Sequence, residues 1–490
     1  MKYISTRGNY KKVNSAEAIK LGMVPEGGLF VPESIPKLNL EDLKNISKEN
    51  YQEIAKKILS LFLTDFDSKE ISEIVNNSYG ENFDTKDVTP LVKIKDNLYI
   101  LELWHGPTAA FKDMALQMLP HLMLKSKEKV GTDKTTLILV ATSGDTGKAA
   151  LEGFKDIDGI EIIVFFPEEG VSKVQELQMR TTTGINTKVI GINGNFDDCQ
   201  TGVKNIFSDK ILATELAKKG YELSSANSIN WGRLLPQIIY YFKAYFELVN
   251  NDKIKIGEKV NFSVPTGNFG NILAGYYAKE IGLPVNKFIC ASNKNKVLSD
   301  FINTGEYNKN RDFYKTMSPS MDILISSNLE RFLFEITGHN SEKIDNWYKE
   351  LNKTGKFNVD DETKNKINKI MVAGFASEDE TEETISKIYS ETNYLLDTHT
   401  AVGVKVVNNY NLDGKTIVDS TANPYKFTGN VLKALTGESE KDEFVAIDKL
   451  NEKTKVEIHR AVKGLDKKEI LHNETIRKDE MKDVVVKSVK

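Results

Sequence analysis

Cysteine is almost missing from this chain: two residues, Cys199 and Cys290, among 490, and no Cys-x-x-Cys pair. That excludes a disulfide framework and a thiolate zinc site, and it fits a reducing compartment. No apolar run approaches the length that spans a bilayer. The stretch Met1 to Arg7 has no apolar core of the signal-peptide kind. Charge of one sign is lacking too. Lys and Arg number 66 against 70 Asp and Glu, a net charge of −4, so no basic field draws in nucleic acid or an anionic membrane. Neither an internal repeat nor a low-complexity segment is present. These absences lead us to expect a soluble cytoplasmic monomer or homodimer that holds no metal and works on a small molecule. The length implies two or three domains.

What the chain does have is a lysine in an unusual setting. Residues 104 to 113 read Trp-His-Gly-Pro-Thr-Ala-Ala-Phe-Lys-Asp. An apolar run, Leu98 to Leu103, enters as a strand, Gly106 and Pro107 break it, and Thr108 is a candidate N-cap. Phe111, Ala115, Met118 and Leu122 then recur at helical spacing, as one buried face. Lys112 therefore falls near a helix start among apolar neighbours. The helix dipole and desolvation both oppose its charge there, which suits it to act as a nucleophile on a carbonyl. A lone lysine is more often a solvated surface residue, so other stretches must support the site.

Residues 1–88 form an N-terminal module of mostly helical pattern, with a helix start at Ser15 and apolar Ile54, Ile58, Leu61, Ile71, Ile74 and Val75 at helical spacing. From 89 to 250 strands and helices alternate; strands are expected at Leu98 to Leu103, Thr136 to Val140, Glu161 to Phe166 and Lys188 to Ile192. A second set spans 251–430, at Val260 to Val264, Lys287 to Ala291, Leu395 to Asp397 and Thr416 to Val418. This pattern predicts an α/β fold of two parallel-sheet lobes with a cleft between them. Residues 293–390, dense in Asn, Lys, Glu and Asp, read as a helical insertion with a solvated face. The tail, 431–490, carries no motif and should pack on the body.

Ligands of parallel sheets bind where strands end, and four stretches fall there. Thr142-Ser143-Gly144-Asp145-Thr146-Gly147-Lys148 superficially suggests a nucleotide P-loop. Only two residues separate its glycines where a P-loop has four, and Ala149 replaces the Ser/Thr that holds magnesium. A nucleotide-binding role is thereby disfavoured, and what remains is a hydroxyl-rich turn able to hold a carboxylate. Gly267-Asn268-Phe269-Gly270-Asn271 opens a helix and can converge backbone N–H groups on a phosphate without a lysine. The run 224 to 233 is rich in donors, including Asn227 and Ser228, and ends in Arg233, suited to a second oxyanion. Asp419-Ser420-Thr421-Ala422-Asn423 offers hydroxyls to a ligand edge. Each of these has a bland counterpart, an ordinary turn or helix cap. Together, a reactive lysine and two anion sites point to pyridoxal 5′-phosphate acting on an amino acid that carries its own anionic group.

These stretches, in this order, resemble the threonine synthase family in its longer bacterial and fungal form, within the tryptophan-synthase-β-like (fold type II) pyridoxal-phosphate enzymes. The resemblance also rests on Tyr3 to Gly8, on Gly27-Gly28-Leu29-Phe30-Val31-Pro32 and on Ser420 to Phe427. It implies that Lys112 tethers the cofactor and serves as the catalytic base. Gly267, Asn268, Phe269, Gly270 and Asn271 would hold the cofactor phosphate, and Thr421 the pyridine nitrogen. Asp145 falls where shorter relatives carry Asn near the cofactor's 3′-oxygen, and a carboxylate beside a phenolate needs a shared proton. Asn227, Ser228 and Arg233 would hold a substrate phosphate; Thr142, Ser143 and Thr146 the substrate carboxylate. The implied reaction takes O-phospho-L-homoserine and water to L-threonine and phosphate. A threonine or serine dehydratase of the same fold type is the alternative, and it has no use for Arg233.

Overall fold

The structure is a computed structural model that describes every residue except Ser143 and Lys490. Its frame is two sheets. The larger runs, edge to edge, Met371–Phe375, Val285–Ser292, Val260–Pro265, Thr416–Ser420, Leu98–Glu102 and Leu91–Lys95. All neighbours in it are parallel except the last pair, an antiparallel hairpin. The smaller sheet is wholly parallel, in the order Thr475–Arg477, Thr187–Asn193, Ile160–Pro167, Thr135–Ala141 and Tyr221–Ser224. Helices cover the faces of both sheets, so central strands such as Val260–Pro265 are buried at every residue and read as continuous apolar runs rather than alternating ones.

Three expectations need correction. The strand before the lysine does not join the sheet made by its sequence neighbours. Leu98–Glu102 pairs with Thr416–Ser420 some three hundred residues later, register Leu98 to Thr416 through Glu102 to Ser420. Residues 395 to 397 are not a strand. Asp397 caps the helix Thr398–Val407, accepting from the N–H of His399 at 2.8 Å, and a cap turns the chain out of the extended state. The edge position is filled instead by Met371–Phe375, inside the stretch read as a helical insertion. The charged tail also does structural work, since Thr475–Arg477 completes the edge of the smaller sheet beside Thr187–Asn193.

The helix Trp231–Asn250 runs through the middle of the molecule and is buried on nearly every side, as an all-round apolar helix must be. Trp231 at its start meets Tyr3 of the N-terminal module and Tyr277 edge-on, with ring centroids 5.5 and 5.3 Å apart. The N-terminal module thus packs on the same core as the chain that carries Arg233 two residues later. No helix among the described residues is long and apolar enough to cross a membrane.

Candidate active site

Lys112 sits at the end of the Leu98–Glu102 strand, in a loop folded around one carboxylate. Asp113 accepts from both the N–H and the hydroxyl of Thr108, at 2.8 and 2.7 Å. Gly106 lies flush against Asp113, and a Cβ there would stand 2.5 Å from its side chain. Thr108 is therefore not the helix cap that its type suggests. Lys112 itself occupies the capping position, before a helix of only four residues, Asp113–Leu116. The helix restarts at Leu119 because the Tyr79 hydroxyl donates to the Met114 carbonyl at 2.6 Å and takes the place of a helical N–H.

One turn of helix contributes little dipole, and the proton affinity of Lys112 has another cause. Burial lowers its pKa, the carboxylate of Asp145 opposes that, and the charges of Lys426 and Arg233 add to the lowering. Only 15% of the side chain is exposed.

The four strand-end stretches converge around this lysine. The Ser420–Asn423 turn is zipped to the lysine loop: Trp104 donates its indole N–H to Ser420 at 3.0 Å, and Phe111 N–H reaches the Thr421 carbonyl at 2.9 Å. Thr421 is buried beside Lys112's neighbour, with no protein partner for its hydroxyl among the described residues. Asp145 begins the helix Asp145–Phe154 and lies 3.8 Å from Lys112 Nζ. Burial alone pushes its carboxyl up, but the ammonium groups of Lys426 and Lys112 overcome this and hold it well below the usual range.

The glycine loop fits a phosphate. It opens the twelve-residue helix Gly270–Ile281, whose first N–H groups have no intrahelical acceptor. Phe269 adopts the left-handed region at φ 62°, which curls the backbone. Asn271 accepts from the hydroxyls of Tyr240 and Tyr241 at 2.7 and 2.6 Å, and its buried amide faces the Asp419 carboxylate. A Cβ on Gly267 would stand 2.9 Å from the Ser320 carbonyl. Gly267→Ala must therefore push the loop and the 318–322 segment apart. We expect cofactor affinity to fall at least about tenfold, read by fluorescence titration of the apoprotein with pyridoxal phosphate.

Arg233 is the clearest anion site. The residue is 4% exposed; its guanidinium donates to the Ala226 carbonyl and leaves Nε without a partner among the described residues. Burial alone lowers its pKa, to about 10; no carboxylate faces it among the described residues. A buried guanidinium without a counter-ion is costly unless an anion arrives. Ser228 lies nearby in the same turn, half-buried, its hydroxyl 3.3 Å from that of Ser327. Asn227 is exposed, and its side chain bonds to nothing among the described residues.

Of the carboxylate candidates, Thr142 spends its hydroxyl inside its own turn, donating to Gly144 O and accepting from the N–H groups of Gly144 and Gly147. Thr146 is half-buried at the start of the following helix, and Ser143 lies outside the described residues. Lys148 bonds Thr182 at 2.9 Å and pairs with Glu152.

Sequence reasoning missed three contributors. Lys426 pairs with Asp145 at 2.6 Å. Ser320 donates its hydroxyl to Asp145 at 3.3 Å and its N–H to His399 at 3.1 Å. Asn328 ties the two anion loops together, its amide reaching Ser228 O at 3.2 Å and Asn268 O at 3.3 Å. Ser320 and Asn328 come from the supposed solvated insertion. The run Ser318-Pro319-Ser320 and Ser326-Ser327-Asn328, small and uncharged within a charged segment, was the available signal.

Comparison with known proteins fits this geometry. Residues 2–79 match the family described as threonine synthase N terminus, and residues 84–357 match the family described as pyridoxal-phosphate dependent enzyme. A threonine synthase of Pseudomonas aeruginosa is 39% identical over 90% of this chain and 91% of that protein. A threonine synthase-like 1 protein of Macaca fascicularis is 41% identical over 86% of this chain, which spans only 58% of that relative's length. The crystal structure of PLP-bound threonine synthase from Brucella melitensis superposes with a TM-score of 0.90 at 35% identity, covering 100% of both chains.

Proposed function

The chain belongs to the threonine synthase family of fold type II, pyridoxal-phosphate-dependent enzymes, and from that premise we propose that it converts O-phospho-L-homoserine and water to L-threonine and phosphate. The observation that carries this reading is Arg233, a buried guanidinium with no carboxylate partner among the described residues, linked through Asn328 and the 226–228 turn to the cofactor-phosphate loop. A dehydratase substrate has no phosphate to put there.

The residues fit the cofactor. Lys112 offers a buried amine of lowered pKa for the tether, Gly267 to Asn271 a cradle for its phosphate, and Thr421 a neutral hydroxyl for its ring nitrogen. Asp145, 3.8 Å from Lys112 Nζ, would face the polar edge of the cofactor nearest the tether. When bound, pyridoxal phosphate supplies an electron sink that a hydroxyl partner leaves weaker than a carboxylate would. The chain's own residues do the rest. Asn227, Ser228 and Arg233 would hold the substrate phosphate; Ser143 and Thr146 would hold its carboxylate, while Thr142, its hydroxyl spent within the turn, shapes that loop. Lys112 Nζ takes the proton from Cα. A second proton leaves Cβ, and phosphate leaves Cγ into the grip of Arg233. The proton lost from Cβ is made up at Cγ, which becomes the methyl group; the oxygen of water bonds to Cβ while its proton goes to the released phosphate, and Lys112 returns a proton to Cα.

The partners are this small molecule and the cofactor, with neither nucleic acid nor membrane, in a cytoplasmic monomer or homodimer. The net charge of −4 and two buried, free cysteines support that setting. The test is direct: purified protein with cofactor and phosphohomoserine should release threonine and phosphate in equal amounts. Release of a 2-oxo acid without threonine would overturn the reading in favour of a dehydratase.

A further inference from the structure

Asp145 poses a problem that its sequence neighbours do not solve. A carboxylate 3.8 Å from the lysine that would tether the cofactor brings a buried negative charge beside that nitrogen. The structure supplies the answer from far along the chain. Lys426, in the short turn Pro424–Phe427, has a side chain that is 0% exposed. Its ammonium donates to the Thr108 carbonyl at 2.9 Å and lies 2.6 Å from Asp145 Oδ1. Gln175 donates to that same oxygen at 3.0 Å, and Ser320 donates to Oδ2 at 3.3 Å. The carboxylate is therefore fixed between two ammonium groups, with Oδ2 turned toward Lys112 Nζ at 3.8 Å.

We propose that Lys426 is a positioning residue that acts through Asp145: the two form a buried counter-charge pair whose balance sets how tightly the Lys112 nitrogen holds its proton. The inference deepens the proposed function and rests on Lys112 carrying the cofactor. The signs follow from charge alone. Without Lys426, Lys112 faces an unscreened carboxylate and holds its proton more tightly. With Asp145 made an amide, Lys112 faces an uncompensated ammonium and holds it less tightly. Removing both leaves a neutral gap and restores the balance. The other charges acting on Lys112 are Arg233, which opposes its proton, and Asp113, which favours it. Both are unchanged in every variant. His399 faces the Ser320 N–H rather than the pair.

The visible absorption band of the holoenzyme, followed across the neutral and alkaline range, reports that proton. Lys426→Met should move its midpoint up by about one pH unit or more, and Asp145→Asn should move it down by a similar amount. The double variant should lie within about half a unit of the parent, and Lys426→Arg should match the parent. A residue that only fills space would not shift the two single variants in opposite directions. Shifts of the same sign, or none, overturn the inference. Should Lys426→Met fail to fold, the charge-neutral double variant carries the test, and a midpoint more than about one unit from the parent overturns it. Borohydride reduction of the parent protein separates the two levels. Cofactor fixed to the Lys112 peptide with no opposed shifts sinks this inference alone, whereas no fixation sinks the tether and the inference with it.

Discussion

Lys112→Ala should leave a folded protein that binds pyridoxal phosphate, loses it on dialysis, takes no label from borohydride and turns over no phosphohomoserine. Loss of the general base alone costs about a hundredfold to ten-thousandfold in rate, and this variant loses the covalent tether as well. The fold should tolerate the change. Among the described residues the Lys112 side chain makes no short bond, its nearest carboxylate being 3.8 Å away, while the loop is held by groups that the substitution spares. These are the Asp113 bonds to Thr108 and the backbone bonds from Phe111 to Thr421 and from Asn423 to Ala109. Removing an ammonium that burial already disfavours also frees Asp145 to pair with Lys426 alone. The measurement is paired: equilibrium unfolding to show an intact protein, and product assay with mass analysis of the reduced 104–125 peptide. Turnover near the parent rate would remove Lys112 from the chemistry.

How much of this was legible in the sequence depends on the distance over which each feature is encoded. The glycine loop was readable because strand, turn and helix cap lie within a dozen residues, and local backbone needs declare themselves in residue type. Lys112 was readable in the same way, although its cause was not. The helix dipole invoked for it shrinks to four residues, since the Tyr79 hydroxyl breaks the ladder at Met114, and no window around Lys112 contains Tyr79. Sheet membership failed for a similar reason. Leu98–Glu102 carries no mark of its partner Thr416–Ser420, and an all-parallel interior gives every strand the same apolar pattern. Lys426 was least legible of all. A lysine followed by Phe-Thr-Gly in a charged C-terminal third looks solvated, and only the folded chain buries it against Asp145. Likewise the insertion was read from its average composition. Its two uncharged breaks are the parts that reach the site, through Ser320 and Asn328.

Arg233→Met separates function from stability most cleanly, because the two should move in opposite directions or at least not together. Without its ligand, this arginine is a buried cation that meets one backbone carbonyl and no carboxylate among the described residues. Replacing such a charge by an apolar chain of similar reach often leaves stability unchanged or raises it. Urea unfolding should therefore show a midpoint at or above that of the parent. A bound substrate phosphate, however, would lose the Arg233 guanidinium. Losing one partner of a desolvated, hydrogen-bonded charge pair costs about 2–5 kcal/mol, or roughly thirtyfold and upward in kcat/KM for phosphohomoserine. The loss should appear in KM, since Arg233 would grip the substrate phosphate, and also in kcat to the extent that departure of that phosphate limits turnover. Cofactor affinity should hold, because Gly267 to Asn271 are anchored independently by Tyr240, Tyr241, Ser326 and Asn328. Arg233→Lys tests the geometry: it keeps the charge but not the planar fork, so it should recover only part of the loss. An Arg233→Met enzyme with parental KM would place the substrate phosphate elsewhere and remove the observation on which the proposed substrate rests.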